Sequence, residues 1–289
     1  MDYLIHLGVL VGIYLLLAQS LNLTFGLGKL INLAHVASYA IGAYATALLA
    51  TENGQSFWVC IPASMFLSGT FSLLIGAISL KLSQDYFAIG SLAFSAIVSA
   101  ILVNWKSLTR GVLGIPGIPR PEFMGIDFYQ NKNFLIFLTI IVLIVMLVIH
   151  AIFRSRFARD LRALSEHEYA ALSLGKDTQR IRNAAFVISS AIAGLAGSIY
   201  AYYLNYIDPS SFGLPEMVFI LSIVIVGRPG SFFGVIFATF FLVLLPEPLR
   251  FVEISPSILG PMRQLLYAVI LFAVVYWKRE TMFPIERTV

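Results

Sequence analysis

The residues of this 289-residue chain that could do chemistry are few and scattered. Three ionisable side chains stand in or beside long apolar runs: His35, Glu216 and Arg228. A charge held in hydrocarbon is expensive, so each is a candidate for lining a translocation path. His35 could gate, bind, or hydrogen-bond a neighbouring helix. Glu216 complements the positive end of a helix dipole. Arg228 could pair with a substrate carboxylate or with Glu216 across a break in the chain. The four histidines and the single cysteine, Cys60, lack metal-ligand spacing, and no nucleophile stands with a base. His6 and His150 fall near run ends, and Cys60, unable to form an internal disulfide, reads as structural. There is no Gly-x-x-x-x-Gly-Lys-Ser/Thr loop, so any ATP that drives the protein is hydrolysed elsewhere. The apolar runs are nearly free of Asp and Glu, which argues against a proton- or sodium-coupled carrier. No enzyme chemistry, cofactor, metal or nucleic acid is expected.

The elements that must position these groups are membrane segments. Apolar residues make up 59% of the chain and charged residues 12%, against about 45–50% and 25% in soluble domains. Mean hydropathy is +0.87. With about 20 residues per span, the chain reads as one all-α polytopic membrane domain over 1–289 with about eight segments. The runs are 3–20, 30–50, 57–80, 86–103, 134–153, 184–207, 217–245 and 261–277. The first, opening Met1-Asp2-Tyr3, reads as a retained span rather than a cleaved signal. Gly227, Arg228, Pro229 and Gly230 interrupt the seventh run after about ten residues, too few to cross, which makes it re-entrant or kinked. With the amino terminus outside and the seventh run returning to its own side, 12 basic residues fall inside and 5 outside. The positive-inside bias favours that topology, with 104–133 extracytoplasmic and 154–182 cytoplasmic. Irregular backbone in 22–29 and 226–231 must be buried in protein or line a cavity.

Two rows of small residues four apart, Ser190, Gly194, Ser198 and Ala193, Gly197, Ala201, let helix backbones approach, either inside the chain or at a seam with a partner subunit. In 154–182, Ser165 with Glu168 reads as a capping box and Gly175 as a left-handed C-cap. They bracket a helix over 166–174 that is too polar to span and is partly apolar through Leu164, Ala171, Leu172 and Leu174. Such a helix suits a groove on another protein, or is a solvated linker.

The stretch Arg162, Glu166, Glu168, Ala170, Ala171 and Gly175 resembles the cytoplasmic loop of ATP-binding-cassette importer permeases. More narrowly it is similar to the LivM-like permeases of branched-chain, hydrophobic amino acid importers. The likeness continues through Gly26, Gly28, Asn32 and His35, then Gly42, Ala43 and Tyr44, then Asp85, Tyr86, Ala88 and Ile89. Later come Ala193, Gly194 and Gly197, then Asp208, Pro209 and Phe212, then Pro246, Glu247 and Arg250. Arg228 departs from the family's Gly-Gly-x-Gly-Ser pattern, and 109–114 keeps only part of its glycine-rich outer loop. The resemblance implies a multi-pass inner (plasma) membrane subunit that forms the pathway by alternating access. Its implied partners are a second, homologous permease, two ATP-binding-cassette subunits on the cytoplasmic side and an extracytoplasmic substrate-binding protein, all set in membrane lipid. It places Arg162, Glu166, Glu168, Ala171 and Gly175 at the contact with the ATPase, and leaves Asn32, His35, Glu216 and Arg228 as pathway candidates. Branched-chain or other hydrophobic or neutral amino acids are the expected cargo. A urea or short-amide permease, a channel and a secondary carrier are the alternatives.

Overall fold

A helix that is apolar on every side has two possible surroundings, lipid or other helices, and this chain sorts its segments between them. The computed structural model describes residues 2–79, 82, 84–123, 126–247 and 256–277. The helices are α1 (Asp2–Leu21), α2 (His35–Thr51), α3 (Phe57–Ser79), α4 (Gln84–Asn104), α5 (Lys106–Thr109), α6 (Asn131–Arg154), α7 (Arg156–Glu166), α8 (Glu168–Ser173), α9 (Thr178–Leu204), α10 (Leu214–Val226), α11 (Phe232–Leu244) and α12 (Pro256–Trp277). Four two-residue strands form two antiparallel pairs: β1 (Ile115–Pro116) with β4 (Tyr206–Ile207), and β2 (Glu122–Phe123) with β3 (Ile126–Asp127). Among the described residues, seven helical stretches are long and apolar enough to cross a bilayer. The chain is an all-α polytopic membrane protein.

Helices α1, α2 and α9 form the interior, where Leu16, Leu17, Ala43, Ala47, Ala193 and Ala196 are fully buried. Helix α6 lies outside and presents Ile140, Leu143 and Leu147 outward, the side-chain chemistry of a lipid-facing wall. Both small-residue rows of α9 are consumed within the chain. A Cβ on Gly197 would strike the Tyr39 carbonyl of α2, and one on Gly194 would strike Ser68 of α3. Hydroxyl contacts stitch the same three helices, Ser38 to Ser190 at 3.0 Å and Ser68 to the Ser38 carbonyl at 2.9 Å. These rows are therefore intrachain packing, not a seam with a partner.

The connections fall at two ends. At one, the 104–133 loop is bound to the α9–α10 connection through β1 and β4. Arg120 clamps that end: its guanidinium donates to Asn205 Oδ1, Asn131 Oδ1 and the carbonyls of Phe128, Tyr129 and Tyr203, and it lies 5.5 Å from the ring centroids of Phe134 and Tyr203. Asp208 heads a short 3₁₀ turn, Pro209–Phe212. Burial raises the Asp208 pKa, but hydrogen bonds from Ser210 and Ser211 outweigh it and hold the carboxyl below its ordinary value. At the opposite end lie α7 and α8.

Several runs start away from their sequence reading: α9 begins at Thr178, six residues before 184, α12 at Pro256, five before 261, and two others shift for reasons visible in the structure. Helix α2 starts at His35, five residues late, because Asn32 Oδ1 accepts the Ala34 N–H at 3.1 Å and holds the preceding residues in turns. The seventh run starts earlier than expected. Behind the 3₁₀ turn Pro209–Phe212 and the extended Gly213, α10 begins at Leu214 and runs 13 residues towards the α7 end before Gly227 stops it. The break therefore lies at the α7 end and not part-way across. Pro215 stands in the first turn of α10, where proline is at home, so the helix begins ahead of the apolar run itself. Helix α11 then runs back along α1, so the pair is an antiparallel hairpin returning to the loop end.

Candidate functional site

The two irregular segments anticipated from sequence meet each other. Helix α1 continues into a π-helical stretch, Asn22–Leu27, whose widened turn leaves Asn22 free to face the α10–α11 turn. Asn22 Oδ1 accepts the Gly230 N–H at 2.8 Å, and Asn22 Nδ2 donates to the Ser231 carbonyl at 3.2 Å. Gln19 Nε2 donates to the Phe232 carbonyl at 2.7 Å. Gly26 has no space for a side chain, since a Cβ would collide with Asn22 Oδ1 and the Gly230 nitrogen. Asn22 is fully buried, so Asn22→Leu keeps the volume but strands two backbone groups. We expect that change to cost roughly 2–4 kcal/mol, measured as a fall in the thermal midpoint of the purified protein; an unchanged midpoint would deny the clamp.

His35 and Asn32 lie inside the bundle and border neither of the two described cavities. The His35 ring reaches Ser20 Oγ at 3.1 Å and the Leu17 carbonyl at 3.2 Å through Nε2, and Ser189 Oγ at 3.5 Å through Nδ1. It cross-links α1, α2 and α9. Asn32 Oδ1 holds the Ala34 N–H just ahead of α2, and its Nδ2 is buried without a partner. Cys60 is buried at the head of α3, and its thiol points to the Gln55 carbonyl.

Glu216 sits in the first turn of α10 and faces the Tyr14 hydroxyl. The aromatic rings nearby interlock: Tyr14 with Phe219 at 4.8 Å, Phe219 with Tyr267 at 4.4 Å, and Tyr39 with Phe212 at 5.0 Å. Arg228 lies 12 residues further along, roughly 18 Å of helix away. The expected alternative in which Arg228 pairs with Glu216 is thereby removed. Arg228 instead lines a cleft of about 440 Å³ with Gly26, Lys29, Arg162, Ser165 and Glu166. A pathway candidate thus comes together with two residues expected at the ATPase contact.

The helix expected over 166–174 is two helices. Ser155 caps α7, its Oγ accepting the Ala158 N–H at 3.3 Å, and α7 continues through Glu166. Ala158, Leu161 and Leu164 form its buried stripe, with Leu161 packed among Leu23, Leu27 and Ala185. His167, at φ −143 and ψ 86, breaks the helix, and α8 follows. Ser165 is no N-cap: it lies inside α7 and its Oγ donates to the Arg162 carbonyl. The arginine-rich stretch before it hid a three-residue apolar stripe. Gly175, at φ +74, does end α8, with its N–H on the Leu172 carbonyl and the Lys176 N–H on the Ala171 carbonyl. Glu168 accepts a hydrogen bond from Arg182 Nη2 at 2.9 Å, tying α8 to the first turns of α9. Arg182, only 8% exposed, is a partner that sequence spacing had not singled out. Ala171 is buried, while Tyr169, Leu172 and Leu174 stand 86%, 48% and 80% exposed.

A helical bundle with broken segments gathered at one face, and a short apolar ridge beside them, is a multi-pass membrane protein. Its sequence places it further. The family model described as the branched-chain amino acid transport system permease component matches residues 3–275, and the chain belongs to that family. It is 34% identical to the high-affinity branched-chain amino acid transport system permease protein LivM of Escherichia coli, over 98% of this chain and 70% of that protein. A probable LivM of Methanocaldococcus jannaschii is 24% identical over 94% of this chain and 91% of its own. LivH of Escherichia coli is 25% identical, over 68% of each. No solved structure matches. The chain is a permease subunit of an amino acid importer in the inner membrane, a transport component and not an enzyme.

Proposed function

We propose that the α7–α8 end is cytoplasmic and that α8 is the coupling helix on which an ATP-binding-cassette subunit docks. The observation that carries this reading is the exposed apolar ridge that Tyr169 and Leu172 of α8 form with Leu174 just past its end. An exposed apolar strip on a water-facing helix is a contact waiting for a groove. Glu168 turns inward to Arg182 and so serves as the strut between ridge and bundle, while Arg162 and Glu166 flank the contact. Closure of the ATPase would displace α8, and the Glu168–Arg182 pair would pass that displacement to α9. Helix α9 is packed against α1, α2 and α3, so the bundle moves as a body and access alternates by population shift.

The complex in this reading holds this chain, a companion permease of the LivH kind, two ATPase subunits and an extracytoplasmic binding protein. Branched-chain or other hydrophobic and neutral amino acids are the cargo. Asn32 and His35 shape the pathway by holding α1, α2 and α9 in register, whereas Glu216 with its tyrosines offers the polar point at membrane depth. The test is Gly175→Pro in the reconstituted importer. Proline cannot adopt φ +74, and it deletes the N–H that closes α8. The permease is expected in the membrane at wild-type level with leucine uptake down at least about tenfold, since a coupling step is lost and not a fold. Normal ATP-driven uptake would refute the coupling role.

A further inference from the structure

The cleft at the α7 end carries more positive charge than its surroundings balance. Lys29, Arg162 and Arg228 converge on it from three separate elements, and Glu166 is the sole acid in its lining. All three cations are exposed, and among the described residues none of them forms an ion pair. Two of the three stand on strained backbone: Lys29 has φ 51 and Arg228 has φ 69. Only two other described non-glycine residues, Arg110 and Asn205, share a positive φ. Long cationic side chains at positions that favour glycine persist where the surroundings enforce them, and such positions gather at functional sites. The walls belong to three segments distant in sequence. One is the π-helical end of α1, another the turn of the α10–α11 hairpin, and Asn22 joins the two. The third wall is α7, which leads directly into the exposed α8 ridge.

We propose that this cleft receives an acidic side chain of the ATPase subunit, as a second contact beside α8. The inference rests on the docking reading above. Two guanidinium groups and an ammonium around one opening suit a carboxylate, which arginine grips in bidentate fashion. A partner covering Tyr169, Leu172 and Leu174 lies over the adjoining cleft, whereas a lipid headgroup has no such neighbouring contact to explain. Through this second contact the ATPase bears directly on the hairpin turn as well as on α9, giving two points of leverage.

The experiment measures the affinity of purified ATPase subunits for the permease pair in nanodiscs, with and without phosphatidylglycerol, across a salt series. Lys29→Gly and Arg228→Gly are the informative changes, because each removes a charge while placing at its position the residue the backbone favours, so folding is spared. The double variant is expected to bind the ATPase about tenfold more weakly at 0.1 M salt, with a flatter salt dependence. Arg162→Gln added to it weakens binding further, whereas Glu166→Gln leaves binding equal or tighter, the opposite sign. Unchanged ATPase affinity in the double variant overturns the proposal. If that variant instead loses a preference for phosphatidylglycerol while binding the ATPase normally, the cleft is a lipid headgroup site and the proposal falls too. A wild-type pair that binds no ATPase defeats the docking reading itself, and that is visible before any variant is made.

Discussion

Valine in place of Gly42 is expected to remove nearly all folded protein from the membrane. Gly42 is where α2 crosses α9, and a Cβ there would overlap the Cα and carbonyl of Gly194. The obstruction is reciprocal, since Gly197 abuts the Tyr39 carbonyl and the Ala43 nitrogen, and Gly194 abuts Ser68 and the Ser64 carbonyl. Overpacking a core costs about 1–3 kcal/mol when side chains can shift aside. Here the obstacles are backbone atoms of two helices, so the helices must part. They then lose dispersion contacts along α2 and α9 and the hydroxyl stitches from Ser38 to Ser190 and from Ser68 to Ser38. Stability of a domain is only about 5–15 kcal/mol, so a change beyond about 3 kcal/mol empties much of the folded population. Gel filtration of a fluorescent fusion in detergent should show at least a tenfold loss of the monodisperse peak. Gly69→Ala is the comparator: its Cβ would meet neighbours at 3.5 Å or more, an ordinary contact, and its peak should match the wild type. Equal peaks for the two variants would mean the α2–α9 approach is looser than described.

The second large effect is expected at Glu168. Its carboxylate holds Arg182, whose side chain is only 10% exposed and whose Nε has no partner. Removing one partner of a buried pair strands the other and costs about 3–5 kcal/mol. Glu168 itself is 41% exposed, so water softens the loss and about 1–3 kcal/mol is the better expectation. The functional consequence is larger than the energetic one. Glu168→Ala frees α8 from α9 while leaving the apolar ridge in place, so the ATPase should still dock and hydrolyse ATP. Leucine uptake should fall at least tenfold. Arg182→Gln should give the same phenotype, and the double variant no further loss, because both delete one link. Full coupled uptake in Glu168→Ala would leave α8 without its strut.

Much of the architecture was readable from residue type alone. Membrane segments announce themselves because hydrocarbon admits only continuous apolar helix, so each of the eight expected runs falls on described helix, although only seven stretches among the described residues are long and apolar enough to cross and the 17-residue α2 is not one of them. Gly175 was legible for a similarly local reason, a glycine closing a short helix. Misreadings arose where local chemistry has two outcomes. Ser165 and Glu168 satisfy a capping-box spacing, yet Ala158 and Leu161 found a surface on Leu23, Leu27 and Ala185, Leu164 is buried on the same helix, and the helix runs through Ser165. The seventh run was read from its apolar residues as starting at 217, yet α10 begins at Leu214 because Pro215 fits its first turn.

The candidate site divides along the same line. Arg162, Glu166, Glu168, Ala171 and Gly175 were grouped by their resemblance to the cytoplasmic loop of the permease family, which a contiguous stretch of sequence can carry. That Arg182 is the partner of Glu168, or that Arg228 shares a cleft with Lys29, has no sequence signal, since those pairs are made by helices crossing in space.

By itself, then, the sequence determined that the chain lives in a bilayer, how many times it becomes apolar helix, where its backbone breaks, and which stretch is too polar to enter lipid. Each follows from the solvation of a segment considered alone. Tertiary structure alone decided that the two breaks clasp one another through Asn22, that the small-residue rows serve the chain's own core, and that Glu216 and Arg228 stand at opposite ends of α10. Solvation is a property of a segment, whereas pairing depends on where distant segments come to rest, and only packing fixes that.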